Sequence, residues 1–437
     1  MLRNPRPAVA KAALGETTGA RLDRIEILLL ILCAPCLLFP TLSRAGTLAA
    51  CIAILPIWLV RKFVRGRLLP PTPFGAAVVV WLSAVAIGIV VSADPGLTIP
   101  KATGLLLGIT LWRTVLVAAH SPKRRAAALV LFLSTAAAMI AVGAAGVAWQ
   151  QKVPLLGGLA AQLPGPLLWM PENGAEGVHS NLLAGTIVIC WPLSLALLTA
   201  GRSESQPAGW LARWLISVAA AITIIGGGLL LLLQSRSAWL GAAAGLASLY
   251  LSRAAAQPGE RRHMHWFGWV LAALVVVTLG AGLMVALGRA NLPETVAFRI
   301  EVWRYALEAI GDFPFTGVGL GSFREVVLRL YPMTVYPNPD VAHAHNIFLQ
   351  VALDTGLPGL CAYISLLLIA IRVCWQRLRG PGADAALARG TLASLIAVHV
   401  FGLADAIAPG AKPGLLYWWL LGLSAALTPP VNPRLLN

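Results

Sequence analysis

Charge is what this 437-residue chain has least of: Asp, Glu, Lys and Arg together make up 11% of it, against 58% hydrophobic residues. So small a polar complement could not cover the surface of a water-soluble core of this size, and composition excludes a disordered or disulfide-stapled chain. Acid is the scarcer sign, at 17 residues against 33 basic ones. No Asp-x-Asp occurs anywhere, so the divalent-metal diphosphate clamp of nucleotide-sugar transferases is missing. Cysteine is limited to Cys33, Cys36, Cys51, Cys190, Cys361 and Cys374, all inside apolar runs where a thiol acts as a small apolar side chain. Cys33-x-x-Cys36 has no second pair and no ligand beside it, so neither a disulfide framework nor a zinc site follows.

The chain abounds instead in apolar runs long enough to cross a ~30 Å hydrocarbon core as helices. Divided at charged and proline-rich breaks, it yields twelve candidates: 25–43, 46–60, 75–92, 98–119, 126–149, 181–200, 214–233, 238–252, 266–287, 347–371, 390–408 and 413–428. The tenth is interrupted by Gly356, Pro358 and Gly359. Alternating sides from a cytoplasmic N-terminus puts 22 of the 33 basic residues but six of the 17 acids in cytoplasmic segments. The remaining basic and acidic residues cancel, so the net charge of +16 is topological and needs no nucleic-acid partner. The first 24 residues are basic and lack a small-residue cleavage site, which predicts an uncleaved first helix. The layout is a cytoplasmic N-terminus (1–24), nine helices with a loop at 150–180 (25–287), a large loop (288–346), three helices (347–428) and a cytoplasmic tail (429–437).

Both long loops fall on the side opposite the basic segments. The 150–180 segment, with PLLGGLAAQLPGPLLWMP and Trp169, is too apolar for a solvated loop and is expected at the interface or re-entering the membrane. In the 288–346 segment, Phe298, Val302, Tyr305 and Ala309 recur at helical spacing between Glu294 and Gly311, with Arg304 opposite Glu308. Pro314, Gly317, Gly319 and Gly321 then predict a turn-rich loop. The GxGxG follows no strand, which favours a tight turn over a nucleotide loop, leaving phosphate contacts through its backbone amides as the minor reading.

An ionisable residue at a membrane surface is costly and hence a functional candidate. Arg236, Arg299, His345 and Asp405 all come out at the same surface. The competing readings are a snorkelling helix end for Arg236, a solvated face for Arg299, an interfacial histidine without a role for His345, and a helix-end cap or an ion pair with Lys412 for Asp405. Two arginines suit phosphate oxygens, a histidine offers a base near neutral pH, and a carboxylate can orient either. His343 and His345 form an HxH, which alone, lacking acidic or further histidine partners at ligand spacing, is too weak a signal for a metal site. His399, mid-span, reads as hydrogen-bonded core.

These residues resemble the O-antigen ligases and related O-antigen polymerases of Gram-negative inner membranes. His345 and Asn346, nine further residues, then Gly356 and Gly359 are similar to that family's histidine signature. SRSAWLG at 235–241, RIEVW at 299–303 leading into FTGVGLGSF at 315–323, and HSNLLAG at 179–185 resemble its other motifs in order. The resemblance covers about 180–410, while the N-terminal third matches by hydropathy alone. It implies an all-α polytopic inner-membrane protein of about twelve transmembrane helices, GT-C-like, with a large, partly helical periplasmic loop. It further implies a metal-independent, inverting glycosyltransferase without cofactor. The donor would be O-antigen on undecaprenyl diphosphate, the acceptor a sugar hydroxyl of lipid A-core, and the surroundings membrane lipid. On that resemblance His345, Arg236 and Arg299 are catalytic, the arginines holding the diphosphate, and Asn346, Asp405, His179 and Asn181 join them in binding substrate. An O-antigen polymerase or a protein O-oligosaccharyltransferase would use similar residues. A lipid-linked sugar transporter would need polar residues along a path through the bilayer, and none line one.

Overall fold

The computed structural model describes residues 7–66, 69–119, 121–149, 177–200, 209–256, 294–331, 341–378 and 382–428, with a few isolated positions between them. The ninth candidate span, 266–287, and most of the 150–180 loop, Trp169 included, lie outside the described residues. Helices form α1 (Pro7–Leu38), α2 (Arg44–Arg65), α3 (Gly75–Val90), α4 (Pro95–Ala118), α5 (Pro122–Gly146), α6 (Ser180–Leu198) and α7 (Trp210–Leu232, with a π-helical turn at Ile222–Gly226). They continue with α8 (Arg236–Ala256), α9 (Glu294–Asp312), α10 (Phe323–Leu330), α11 (Ile347–Arg377), α12 (Ala383–Phe401) and α13 (Gly414–Ala426). Among the described residues no strand occurs, and one isolated bridge joins Val147 to Val178.

Seven of these helices, α2, α4, α5, α6, α7, α11 and α12, are long and apolar enough to cross a membrane, and α3 and α13 are shorter apolar helices. The protein is an all-α, multi-pass membrane protein. Eleven of the twelve candidate spans coincide with a helix. Large apolar side chains point outward from α1, α2 and α7, among them Leu32, Phe63, Ile224 and Leu231, as a lipid-facing surface requires. Trp81, Trp112 and Trp418 fill the interior. Helix starts carry side-chain caps: Ser43 Oγ accepts from Gly46 N–H (3.0 Å), and Asp94 Oδ1 from Gly96 N–H (2.7 Å) just before Pro95.

The two ends of the bundle differ in chemistry. At one end Glu26 lies between two arginines, Arg61 at 2.5 Å and Arg113, while Arg61 also meets Asp23 at 2.6 Å. Arg125 pairs with Asp384 at 2.9 Å, tying the start of α5 to the start of α12. Arg61, Arg113 and Glu26 are buried, and pairing is what makes their burial tolerable.

At the other end the chain between α9 and α11 folds back onto the bundle. Val302, Ala306, Ala309, Phe323, Val327 and Tyr331 build a small separate core there, closed by Val341, Ala344 and Leu353. The helical spacing from Glu294 is thus realised in α9, and Arg304 and Glu308 pair at 3.8 Å on its exposed face. The turn of Gly317, Gly319 and Gly321 interlocks with a kink in α11, where Gly356 takes φ 70° and ψ 178°. A Cβ on Gly317 would lie 2.2 Å from Leu353 O, and one on Gly356 would lie 2.4 Å from Phe315 O. Only glycine allows this approach at these dihedrals. The turn's amides are occupied within the protein: Val318 N–H donates to Leu353 O (2.8 Å), Leu320 N–H to Gly88 O (2.8 Å) and Gly321 N–H to Asp354 Oδ1 (3.0 Å). They are committed to packing and not to phosphate.

Candidate active site

Three chain segments meet at this end. His343 and His345 stand just before α11, Asp405 lies in the turn after α12, and Asn181 opens α6. The eleventh span, expected to run through residue 408, stops at Phe401, because Gly402 packs against Ile347 and the chain turns inward. Ile347 N–H donates to Gly402 O (2.7 Å) and Asn346 Nδ2 to Leu403 O (3.1 Å), fastening the start of α11 to that turn. Asp405 is therefore a buried residue at a junction, with 3% exposure, and not a helix-end cap.

Its carboxylate is shared. Oδ2 accepts from Asn181 Nδ2 at 2.6 Å, and Oδ1 accepts from Ala406 N–H at 2.8 Å. The same Oδ1 faces His343 Nε2 at 3.6 Å and His345 Nδ1 at 3.7 Å. Burial pushes the Asp405 pKa up, but the two imidazoles and the Ala406 amide outweigh it and hold the carboxyl below its usual range. Burial pushes His343 the other way, well below a free imidazole, with the charges of His345, Lys101 and His179 adding to the effect.

Hydrogen bonding assigns the tautomers. His345 N–H donates to His343 Nδ1 at 3.1 Å, so that nitrogen carries no proton and a neutral His343 keeps its proton on Nε2, toward Asp405. His345 turns Nδ1 to the carboxylate, which favours the proton on Nδ1 and leaves Nε2 as the basic atom. His345 holds φ 47°, a left-handed conformation that is uncommon and costly outside glycine, and the ring of Phe298 on α9 stands edge-on to it at 5.9 Å.

Arg299 follows Phe298 directly on α9 and is half-buried. Arg236 is the exposed first residue of α8, after Gln234 with φ 53°. The start of α8 lies at the same end as Asp405, since Gly241 packs on Ala397 and Phe401 at the end of α12. Among the described residues neither arginine contacts the His345–Asp405 pair through a hydrogen bond or ion pair. Asn346 is committed to structure: its Oδ1 accepts from Phe348 N–H (2.9 Å) and Leu349 N–H (3.2 Å), capping α11. His179 caps α6, with Nδ1 accepting from Asn181 N–H at 3.2 Å, and its side chain is exposed. The hydrogen-bonded reading of His399 holds, with Nε2 2.9 Å from Tyr363 Oη.

His343 and Lys101 stand outside the set of residues that the sequence singles out. The signal for Lys101 is an ionisable residue inside an apolar run. The expectation that HxH lacks an acidic partner is corrected by Asp405. His343, His345 and Asp405 place ligand atoms within 4.8 Å of one another and are a group that could hold a metal ion. At 3.6 and 3.7 Å the two imidazoles stand within ion-pair range of the carboxylate but outside hydrogen-bond reach, and among the described residues His345 Nδ1 has no hydrogen-bond partner.

Residues 219–364 match the family described as O-antigen ligase, a stretch that contains Arg236, Arg299, His345, Asn346 and both glycines of the α11 kink. An O-antigen ligase of Pseudomonas aeruginosa is 29% identical over 225 residues, 49% of this chain and 48% of that relative. The chain thus spans about half the length of the curated relative it matches. Together the two matches support assigning the chain to the O-antigen ligase family.

Proposed function

We propose that the protein transfers O-antigen polysaccharide from undecaprenyl diphosphate to a sugar hydroxyl of lipid A-core, at the periplasmic face of the bacterial inner membrane. The observation that carries this reading is the His345–Asp405 pair, a base oriented by a buried carboxylate at the end of the bundle where Arg236 and Arg299 also lie. The acceptor O–H gives its proton to His345 Nε2 as its oxygen attacks the anomeric carbon. The bond from that carbon to the diphosphate oxygen breaks on the opposite face, so configuration inverts. Asp405 stabilises the imidazolium that forms, and a well-placed base contributes ~10²–10⁴ in rate. The arginines meet the charge that develops on the departing diphosphate without requiring a metal. His179 and Asn181 line the approach from α6, Asn181 by holding Asp405 and His179 from its exposed position on the helix cap.

Purified protein, lipid-linked glycan and lipid A-core should yield a new covalent product with inverted anomeric configuration. A lengthened lipid-linked glycan with no product on lipid A-core would mark a polymerase and overturn the assignment of acceptor.

A further inference from the structure

We propose that Gln350 and Asp354, one turn apart on α11, are positioning residues that hold the His343–His345 turn against Asp405; the proposal rests on the transfer reading above. His345 occupies a left-handed conformation that needs restraint. Ala344, the residue between the two histidines, is fully buried, and its N–H donates to Gln350 Oε1 at 2.9 Å. Gln350 Nε2 donates in turn to Asp354 Oδ1 at 2.9 Å, and that oxygen also accepts from Gly321 N–H at 3.0 Å. Both residues are buried, at 4% exposure. Only one orientation of the Gln350 amide serves both neighbours, since its oxygen must face an N–H and its nitrogen a carboxylate.

A glutamine and a carboxylate buried in a helix of this apolarity are costly unless they are hydrogen-bonded. Their presence is accounted for by what they connect. The relay runs from the strained histidine turn, through one turn of α11, to the glycine turn that carries the α9–α10 segment. Leu353, directly before Asp354 and three residues ahead of the kink at Gly356, accepts from Val318 N–H of that same segment. Lys101 and Asp354 line one small cavity with Trp81, Leu105 and Thr355, so a cation stands beside the acid. Displacing Ala344 would move His345 relative to Asp405, and misplacement by about 1 Å costs on the order of 10² in rate.

Two single substitutions test this. Gln350→Glu sets two carboxylates against each other and should lower kcat by about 10², with KM for donor within about twofold. Asp354→Asn keeps one oxygen that can accept from both Gln350 Nε2 and Gly321 N–H, so it should stay within about tenfold of wild type. Wild-type kcat in Gln350→Glu, or a loss in Asp354→Asn as large as in Gln350→Glu, would overturn the proposal. Should Gln350→Glu fail to fold, Gln350→Met carries the test, with loss of kcat required and wild-type kcat refuting. His345→Ala is measured in parallel. If it transfers normally, the transfer reading itself fails; if it is inactive while Gln350→Glu is fully active, only the positioning role falls.

Discussion

Replacing Asp405 by Asn removes one charge and leaves the site's shape. The amide oxygen can stay toward Ala406 N–H and the imidazoles, and Asn181 can reverse its own amide to accept from the new nitrogen, so no buried group is orphaned. What disappears is the attraction between the carboxylate and the imidazolium that forms on His345, across 3.7 Å. At an effective dielectric near 20 that attraction is about 4 kcal/mol, and one rate decade corresponds to ~1.4 kcal/mol, so kcat should fall by about 10³. Donor affinity should change by less than about threefold, since the ground state carries a neutral histidine. Single-turnover transfer from lipid-linked glycan, with donor binding measured separately, reads both quantities. A kcat within about tenfold of wild type would refute the oriented-base argument.

Acid should destabilise the protein through His343. Its folded pKa lies below the ~6.5 of the unfolded imidazole, so between those values the unfolded chain binds the extra proton and stability falls as pH falls. Asp405, also depressed, adds a loss of the same sign below about pH 4. His343→Asn, whose amide oxygen can still accept from His345 N–H, should flatten the fall in unfolding midpoint between about pH 7 and about pH 5; an unchanged slope would count against the assignment. Arg236→Lys and Arg299→Lys should each lower transfer by about tenfold or more, because lysine cannot make the bidentate phosphate contact, and wild-type rates from both would return them to surface residues. Chelation should leave transfer within about twofold; activity lost in EDTA and restored by Mg²⁺ or Mn²⁺ would give His343, His345 and Asp405 to a metal.

Hydropathy makes the helices legible because each span is a long apolar run between charged breaks, and the kink of α11 is legible from Gly356 and Pro358. The end of the eleventh span is not. GLADAIA is as apolar as the helix before it, and only the packing of Gly402 on Ile347 turns the chain and buries Asp405. α9 follows from its helical spacing, whereas α10 is hidden in a turn-rich stretch, although Phe323 and Val327 bury one face of it. His345 stands out by its motif. His343 does not, because its acidic partner is remote in sequence and reaches it only through the fold. Asn346, inside the same motif, proves to be an α11 cap, which a residue pattern alone cannot separate from a substrate ligand. Gln350 and Asp354 are masked by the apolar run around them.

Whether His345 acts as a base or as a ligand of the diphosphate is decided by His345→Ala, with transfer and donor binding measured on the same preparation. A base predicts transfer reduced by about 10²–10⁴ with affinity for undecaprenyl diphosphate nearly unchanged. A variant that binds the donor poorly, together with a wild type most active at low pH, would contradict it.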